Sequence, residues 1–494
     1  MTMTTNVLID DCLKTIFKYL SPKERVSAES VCHRWQDIMP YSDLKTVSFS
    51  KFLALAKPLP TWTTYSGGFH WVSPLKSLHP QFLQLKLTQL LARLGPYLRE
   101  LDLTLDQQQV GNIRLQLTSE LVQTLDELCP KLQILLLPNA ILSLDAMELL
   151  TQPTTLPKLK QLDLSTVRLV PETHHFNKLL TNNNADISRL SEQLLLNRRQ
   201  LVLLNFSCNV MPKMTSINFD VILPHLTSLN LTQCLQMNNY KLERICQMFP
   251  NLQRIHLDHC IGVERFSPLA SLQDLRKLHL ANTNLSDLEL ELICRSVPRL
   301  QHLDVSDCRS LTNYAPLARI TELSSLKLGP TGDFTDFHLE KLVWRGCMVS
   351  FWAVGCSELT DMALEVLAAR CHRSLRELVL QQSGNISNAG LRLVLEKCEG
   401  LRVLSLSSCQ QLSHRALLQN VALFCANLRL LNLEREAYEK DGLWELCAWR
   451  QRRIAAGKLL PPLAITSNTS DHKQPIEHVV GKDADLTAAG IVFS

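Results

Sequence analysis

The sequence lacks several features that mark common classes of enzyme and membrane protein. Its 494 residues include only 16 glycines, and they contain no phosphate-binding loop, nucleophile elbow or H-E-x-x-H zinc motif. No apolar run reaches about 18 residues, and the first residues do not resemble a secretory leader. Lys and Arg number 51 against 47 Asp and Glu, so charge gives no reason to expect nucleic-acid or membrane binding. We therefore expect a non-catalytic protein without a cofactor.

The sixteen cysteines form no C-x-x-C pair, which argues against a zinc ribbon or a redox motif. Five of them occupy one equivalent position of a repeat: Cys234, Cys260, Cys308, Cys356 and Cys409. Small thiols that recur at one position are expected to pack as buried core residues and to bond weakly to nearby backbone. This usage is typical of a reducing compartment, so we expect the cytoplasm, the nucleus or both.

One phrase recurs through the chain: apolar, two residues, apolar, one residue, apolar, as in Leu252-Gln-Arg-Ile255-His-Leu257. The last nine intervals between copies all lie between 23 and 27 residues. A period of this length predicts stacked units, none of which buries its apolar face alone. The copies start at Leu98, Leu132, Leu159, Leu201, Leu226, Leu252, Leu275, Leu300, Leu323, Met348, Leu375, Leu401 and Leu428.

Between the phrases the chain returns through longer segments, several of which have helical spacing. Residues 360–371 begin with Thr360 as a helix cap and carry apolar residues three and four apart. A strand on one side and a helix on the other predict a curved α/β solenoid, a horseshoe with parallel strands on its concave face.

The same pattern gives the expected domain boundaries. Residues 1–43 form a separate helical segment, and residues 44–97 form a linker and N-terminal cap. About thirteen repeats fill residues 98–440, with a surface insertion near 167–195. Residues 441–494 are expected to form a terminal cap helix and then, from Pro461 onward, a weakly ordered tail.

The N-terminal segment has more apolar surface than three short helices can bury, which indicates a partner. Its residues Leu8-Ile-Asp-Asp-Cys-Leu-Lys-Thr-Ile-Phe-Lys-Tyr-Leu-Ser-Pro22 and Val31-Cys-His-Arg-Trp35 resemble an F-box, with Ile9 where that family usually has proline. An F-box followed by cysteine-containing leucine-rich repeats resembles the F-box/leucine-rich-repeat family, the substrate receptors of SCF-type cullin–RING ubiquitin ligases.

The resemblance implies that these helices bind the Skp adaptor and, through it, a cullin and a RING subunit. The repeats would then choose the protein substrate for ubiquitination. The residues that the motif assigns to adaptor binding are Leu8, Ile9, Ile16, Phe17, Leu20, Val31, Cys32 and Trp35.

Three alternatives to a ligase receptor are compatible with parts of this pattern. An F-box scaffold could serve another assembly, or the repeats could form a binding or inhibitor protein whose N-terminal helices merely cap the stack. The surplus of apolar residues at the N-terminus argues against a simple cap. An extracellular receptor does not agree with the missing leader and membrane span.

Side chains between the apolar strand positions point to the open face of a solenoid, so they form columns across the stack. Two neighbouring columns bring together a basic group that we name the strand-face patch: Arg254, His256, Lys277, His279, His302, Lys327 and Trp352. Such a face is solvated by default, or it binds an acidic or phosphorylated peptide with Trp352 as an aromatic anchor. A metal site on His256, His279 and Asp258 remains a third interpretation, although no metal motif is present.

Overall fold

A computed structural model of the chain describes residues 10–20, 24–25, 28, 31–32, 35, 39, 45–50, 64–65, 68–69, 80–105, 114–170, 184–208, 222–234, 236–433, 440–457, 460–467 and 491–493. They fall into two compact units, Met1–Gln236 and Met237–Ser494. Each unit alternates strands with helices, and each strand is followed by a return segment before the next strand. The predicted α/β solenoid is confirmed, because a strand lies at every one of the thirteen predicted phrases.

The first unit contains a main sheet of parallel strands, in the order β1-β4-β6-β8-β10-β11. These strands are β1 (Thr46–Ser48), β4 (Glu100–Asp102), β6 (Ile134–Leu136), β8 (Gln161–Asp163), β10 (Leu203–Asn205) and β11 (Ser228–Asn230). The helices are α1 (Asp10–Lys18), α2 (Pro80–Leu94), α3 (Ser119–Leu128), α4 (Leu144–Thr151) and α5 (Asn184–Asn197). A short antiparallel pair, β2 (Thr64–Tyr65) and β3 (Gly68–Phe69), precedes α2.

A second parallel sheet in this unit is absent from the sequence prediction. It is formed by β5 (Gln116–Leu117), β7 (Ile141–Ser143) and β9 (Arg168–Val170), which lie in the segments that follow the main strands. These strands have two or three residues each and carry no repeat phrase, so the pattern could not find them. Within the predicted insertion, β9 and α5 are described, whereas residues 171–183 lie outside the described residues.

The second unit contains parallel strands in sequence order from β12 to β21. They are β12 (Arg254–His256), β13 (Lys277–His279), β14 (His302–Val305), β15 (Ser325–Leu328), β16 (Ser350–Val354), β17 (Glu377–Gln381), β18 (Val403–Ser405), β19 (Leu430–Leu433), β20 (Leu463–Ser467) and β21 (Ile491–Phe493). Its helices are α6 (Asn239–Met248), α7 (Asp287–Ser296), α8 (Asp336–Leu342), α9 (Asp361–Arg370), α10 (Asn388–Lys397), α11 (His414–Phe424) and α12 (Lys440–Ala455). Short 3-10 turns, Ser267–Ser271 and Ala315–Arg319, replace helices in two repeats.

The last two strands lie in the segment for which a weakly ordered tail is expected. In β20, Leu463 and Ile465 are buried on either side of the partly exposed Ala464, and the strand pairs with β19 in parallel. Strand β21 adds to β20 in the same way. Residues 468–490 lie outside the described residues. Among the helices that the structure describes, none has the length and apolar composition of a membrane span.

The strands that precede the repeated cysteines end in the same local turn, which places each of these cysteines in the core. A residue with a left-handed backbone precedes the cysteine position, as at Gln233, His259, Asp307, Gly355 and Ser408, where φ lies between 56° and 68°. The thiols that follow are buried, and those of Cys234, Cys308, Cys356 and Cys409 donate to a carbonyl of the preceding repeat. The Sγ-to-oxygen distances are 3.0 Å for Cys308 to Leu280, 3.6 Å for Cys356 to Gly329 and 3.2 Å for Cys409 to Leu380. The predicted role of these thiols as core residues agrees with this geometry.

The outer helices are linked by a recurring clamp at their first residue. Asp361 opens α9 and accepts hydrogen bonds from both the N–H and the hydroxyl of Ser387, which caps α10 in the next repeat. Asp336 binds Thr360 in the same way, and Asp287 binds Thr312. A Cβ at Gly390 would lie 2.3 Å from Asp361 Oδ1, so this clamp also requires glycine there.

We expect Asp361→Ala to destabilise α10 locally, because it removes the acceptor for two hydrogen bonds from Ser387. The free energy of local opening should fall by about 1–3 kcal/mol. Native-state hydrogen exchange at residues 388–397 measures the change. Asp274 is exposed, so Asp274→Ala serves as the control and should leave the exchange rates of residues 388–397 unaltered. Equal protection of α10 in the wild type and in Asp361→Ala would contradict the clamp.

A histidine gives helix α8 a pH-dependent cap. The Thr335 N–H donates to His338 Nδ1 at 3.2 Å, which completes a capping box, and burial lowers the pKa of His338. Because the unfolded state then binds the proton more readily, stability should be full above pH about 6.5 and should fall as the pH drops below that value. His338→Gln keeps an acceptor without a charge change and should remove this dependence at α8. Hydrogen exchange at α8, corrected for the intrinsic pH dependence of exchange, measures this change in stability. His372→Gln, at an exposed histidine, is the control. A pH profile of α8 that is the same in His338→Gln as in the wild type would contradict this role.

Candidate functional site

The N-terminal helix α1 has one buried face and one exposed face. Leu13 and Phe17 are 5% and 2% exposed, and the Phe17 ring contacts the edge of Trp35 at a centroid distance of 5.1 Å. The buried Arg25 donates to the carbonyls of Lys18 and Leu20 at the end of the helix, where a cation is favourable. These contacts hold the segment together from within.

Other apolar side chains of this segment are exposed to solvent. Ile16 is 48% exposed and Val31 is 63% exposed, and Cys32 is also exposed. Tyr19, to which the motif assigned no role, is 87% exposed. It directly follows α1 and comes three residues after Ile16, the spacing of neighbours on one helical face. Its spacing from Ile16 is the signal that could have identified it.

The other predicted adaptor-binding residues are less exposed. Phe17 lies in the interior of this segment, where it supports the helix. Trp35 is partly buried against it, so its ring has a structural contact as well. Leu20 is partly exposed. Leu8 and Ile9 lie outside the described residues.

The strand-face patch lies on neighbouring strands of the second unit, because the strands pair in register. One row aligns Arg254 with Lys277, and Lys277 with His302. A second row contains five residues on successive strands: His256, His279, Asp304, Lys327 and Trp352. All seven residues that the sequence selected therefore lie on adjacent strands, with Asp304 among them.

Close contacts order the second row. The imidazoles of His256 and His279 stack with centroids 4.0 Å apart and planes 15° apart. Lys327 Nζ lies 4.2 Å from the centre of the Trp352 ring, a cation–π contact that holds the indole flat beside it. The indole Nε1 of Trp352 is buried and has no hydrogen-bond partner in the described structure.

The Asp304 carboxylate offsets part of the positive charge of the strand-face patch. The sequence analysis assigned no such role to this residue. Its Oδ2 lies 3.9 Å from Lys327 Nζ and 3.8 Å from His279 Nδ1, and its Oδ1 accepts from the N–H and hydroxyl of Ser306. Asp258 stands similarly beside His256, at 4.0 Å. Positive charge is therefore strongest in the Arg254–Lys277 row and is partly offset in the His256–Trp352 row.

Burial favours the neutral form of the three histidines of the patch. Burial is the main cause that lowers the pKa of His256, to about 4, and nearby His279 and Lys277 lower it further. Burial also lowers the pKa of His279 and of His302. Since neutral imidazoles carry no charge, an anion would be attracted by Arg254, Lys277 and Lys327, while the rings offer hydrogen bonds and stacking.

Comparison with known proteins identifies one segment of the chain. Residues 7–46 match the family model of the F-box domain. No curated protein matches the chain.

Two solved structures are similar at low identity. The complex of Rad7 and Elc1 in yeast shares 15% identity with a TM-score of 0.47, over 89% of this chain and 97% of that chain. An internalin from Listeria monocytogenes shares 15% identity with a TM-score of 0.39, over 71% of this chain and 82% of that chain. At this level of similarity neither protein's function transfers to this chain.

Proposed function

We propose that the chain is the substrate-recognition subunit of an SCF-type ubiquitin ligase. The observation that carries this proposal is the F-box match at residues 7–46. Three large apolar residues of the same segment, Ile16, Tyr19 and Val31, are exposed and support it, because apolar surface left open to water often marks a binding site. F-box domains bind Skp-type adaptors, and the adaptor would connect the chain to a cullin and a RING subunit in the cytoplasm or nucleus.

In this proposal the chain performs no bond chemistry itself. Its two regions hold different proteins, the F-box an adaptor and the repeats a substrate. Holding the substrate near a ubiquitin-carrying enzyme raises the effective concentration of its lysines. The contribution to rate is therefore proximity.

The substrate surface that the charges support best is the strand-face patch. Arg254 and Lys277 are adjacent on paired strands, and Trp352 offers an aromatic surface next to Lys327. A segment of substrate rich in Asp, Glu or phosphorylated residues would find cations, neutral hydrogen-bonding imidazoles and an aromatic anchor within a few strands. Such a substrate is the class that we propose.

Adaptor binding is tested by purifying the tagged full-length chain from cell extract and probing for the Skp adaptor and cullin. We expect both proteins with the wild type and at least tenfold less of each with Ile16→Glu/Val31→Glu, because charges replace the apolar contact surface. The control Leu288→Glu alters a residue that is equally apolar and 67% exposed but belongs to α7.

Circular dichroism should be the same for all three proteins, since the substituted side chains are exposed. Recovery of the adaptor without cullin would support the non-ligase scaffold. Recovery of neither partner, or equal recovery with the double variant, would refute the proposed docking surface.

Substrate binding is tested with proteins that co-purify with the wild type and become stable when cullin ligases are inhibited. Lys277→Glu/Lys327→Glu should weaken their binding at least tenfold, since two attractive charges become repulsive. Wild-type binding should also weaken as salt rises. Lys341→Glu/Arg345→Glu makes the same charge change on the exposed surface at α8 and should bind normally. Glu at position 327 would lie next to the Asp304 carboxylate, so Lys277→Gln/Lys327→Gln provides a milder variant that adds no negative charge. Normal substrate binding by both patch variants would exclude the strand-face patch as the substrate surface.

A further inference from the structure

Three metal-ligand side chains converge inside the strand-face patch. The pairing of β12 with β13 sets His256 directly opposite His279, and Asp258 follows His256 by two residues on the same side of the chain. One ligand atom from each of these three residues lies within 4.8 Å of the other two. Among the described residues, no other group of three His, Cys, Asp or Glu side chains converges in this way.

We infer that His256, Asp258 and His279 form a binding site for a divalent ion of the zinc class. Two imidazole nitrogens and one carboxylate oxygen are a donor set that zinc accepts in four-coordinate sites, with the fourth position open to water or to a ligand. Hard ions such as magnesium and calcium prefer an all-oxygen set, so the two imidazoles disfavour them.

The surroundings orient these donors. Asp258 Oδ1 accepts the backbone N–H of Ala281 at 3.0 Å, which fixes the carboxylate and leaves Oδ2 toward His256. Asp304 Oδ2 lies 3.8 Å from His279 Nδ1, as a second carboxylate beside the ring. Outer carboxylates of this kind are commonly found next to metal-binding histidines, where they set the ring orientation.

Binding requires a small rearrangement that the side chains can make. Bond lengths of about 2.0–2.1 Å bring tetrahedral zinc ligands to about 3.3 Å from one another, closer than the 4.8 Å limit seen here. The stacked rings must also turn, because a metal binds in the plane of each imidazole. His256 and His279 are 29% and 24% exposed, so neither ring is locked in the core.

The neighbouring cations set the strength and selectivity of the site. Arg254, Lys277 and Lys327 oppose any cation, while Asp258 and Asp304 attract it, and solvent reaches the face and screens both effects. An ion held by charge alone would gain little here. Only an ion that forms strong bonds to imidazole should be retained, which again selects zinc over calcium or magnesium.

The test uses the full-length chain with reduced cysteines, freed of metal by a chelator and then titrated with zinc against a colorimetric chelator. We expect the wild type to bind a zinc ion that His256→Gln, His279→Gln and Asp258→Asn each bind at least tenfold more weakly. The double variant His256→Gln/His279→Gln should lose this ion. His302→Gln, on the next strand of the same face, is the matched control and should bind within twofold of the wild type. Magnesium and calcium should not compete.

Exposed thiols such as Cys12, Cys32 and Cys208 could also take up zinc, so cobalt(II) is used as a second probe. A site with imidazole and carboxylate donors gives visible absorption without the thiolate charge-transfer band in the near ultraviolet. Loss of the visible bands in the double variant, with its circular dichroism unaltered, would support the site. Thiolate absorption alone, zinc binding equal in the double variant, or no retained zinc would overturn it. None of these outcomes depends on adaptor or substrate binding.

Discussion

In-register parallel pairing between neighbouring strands is the interaction on which the rest of this structure depends. A strand of three to five residues is too short to be stable alone, and its apolar side chains are buried only when the next repeat covers them. Two further contacts repeat with the same period: the buried thiol that donates to the preceding turn, and the Asp361-type clamp between helix caps. Each unit is therefore a chain of nearest-neighbour interactions, and local damage should stay local.

The same register makes a functional surface out of residues that are far apart in sequence. His256 and Trp352 belong to repeats separated by 96 positions, yet only three strands lie between theirs. Burial on this face lowers the pKa of His256, His279 and His302, while Arg254 and Lys277 align in the neighbouring row. The result is a surface with distinct chemical zones: cations in one row, and imidazoles, a carboxylate and an indole in the next.

Much of the fold could be predicted because burial is periodic. The thirteen phrases located thirteen strands, and Thr360 was identified as the cap of α9 from its side chain alone. The parallel strands that escaped prediction, β5, β7, β9, β20 and β21, lie outside the phrase. They form where one or two apolar residues can pair with a neighbouring segment, which depends on that segment more than on local sequence. Phe17 shows the same limit, since helical spacing does not distinguish a side chain that faces Trp35 from one that faces a partner.

Residue spacing is enough to predict the repeat, the order of the strands, the columns of the open face and the F-box-like N-terminal segment. A regular backbone converts spacing directly into direction, so these features can be read from the chain. Which side chains in a column touch one another depends on the folded protein. The stacking of His256 on His279, the position of Asp304 between His279 and Lys327, and the burial of the Trp352 N–H depend on side-chain rotamers and desolvation. These are set by packing across strands, and no spacing along the chain encodes them.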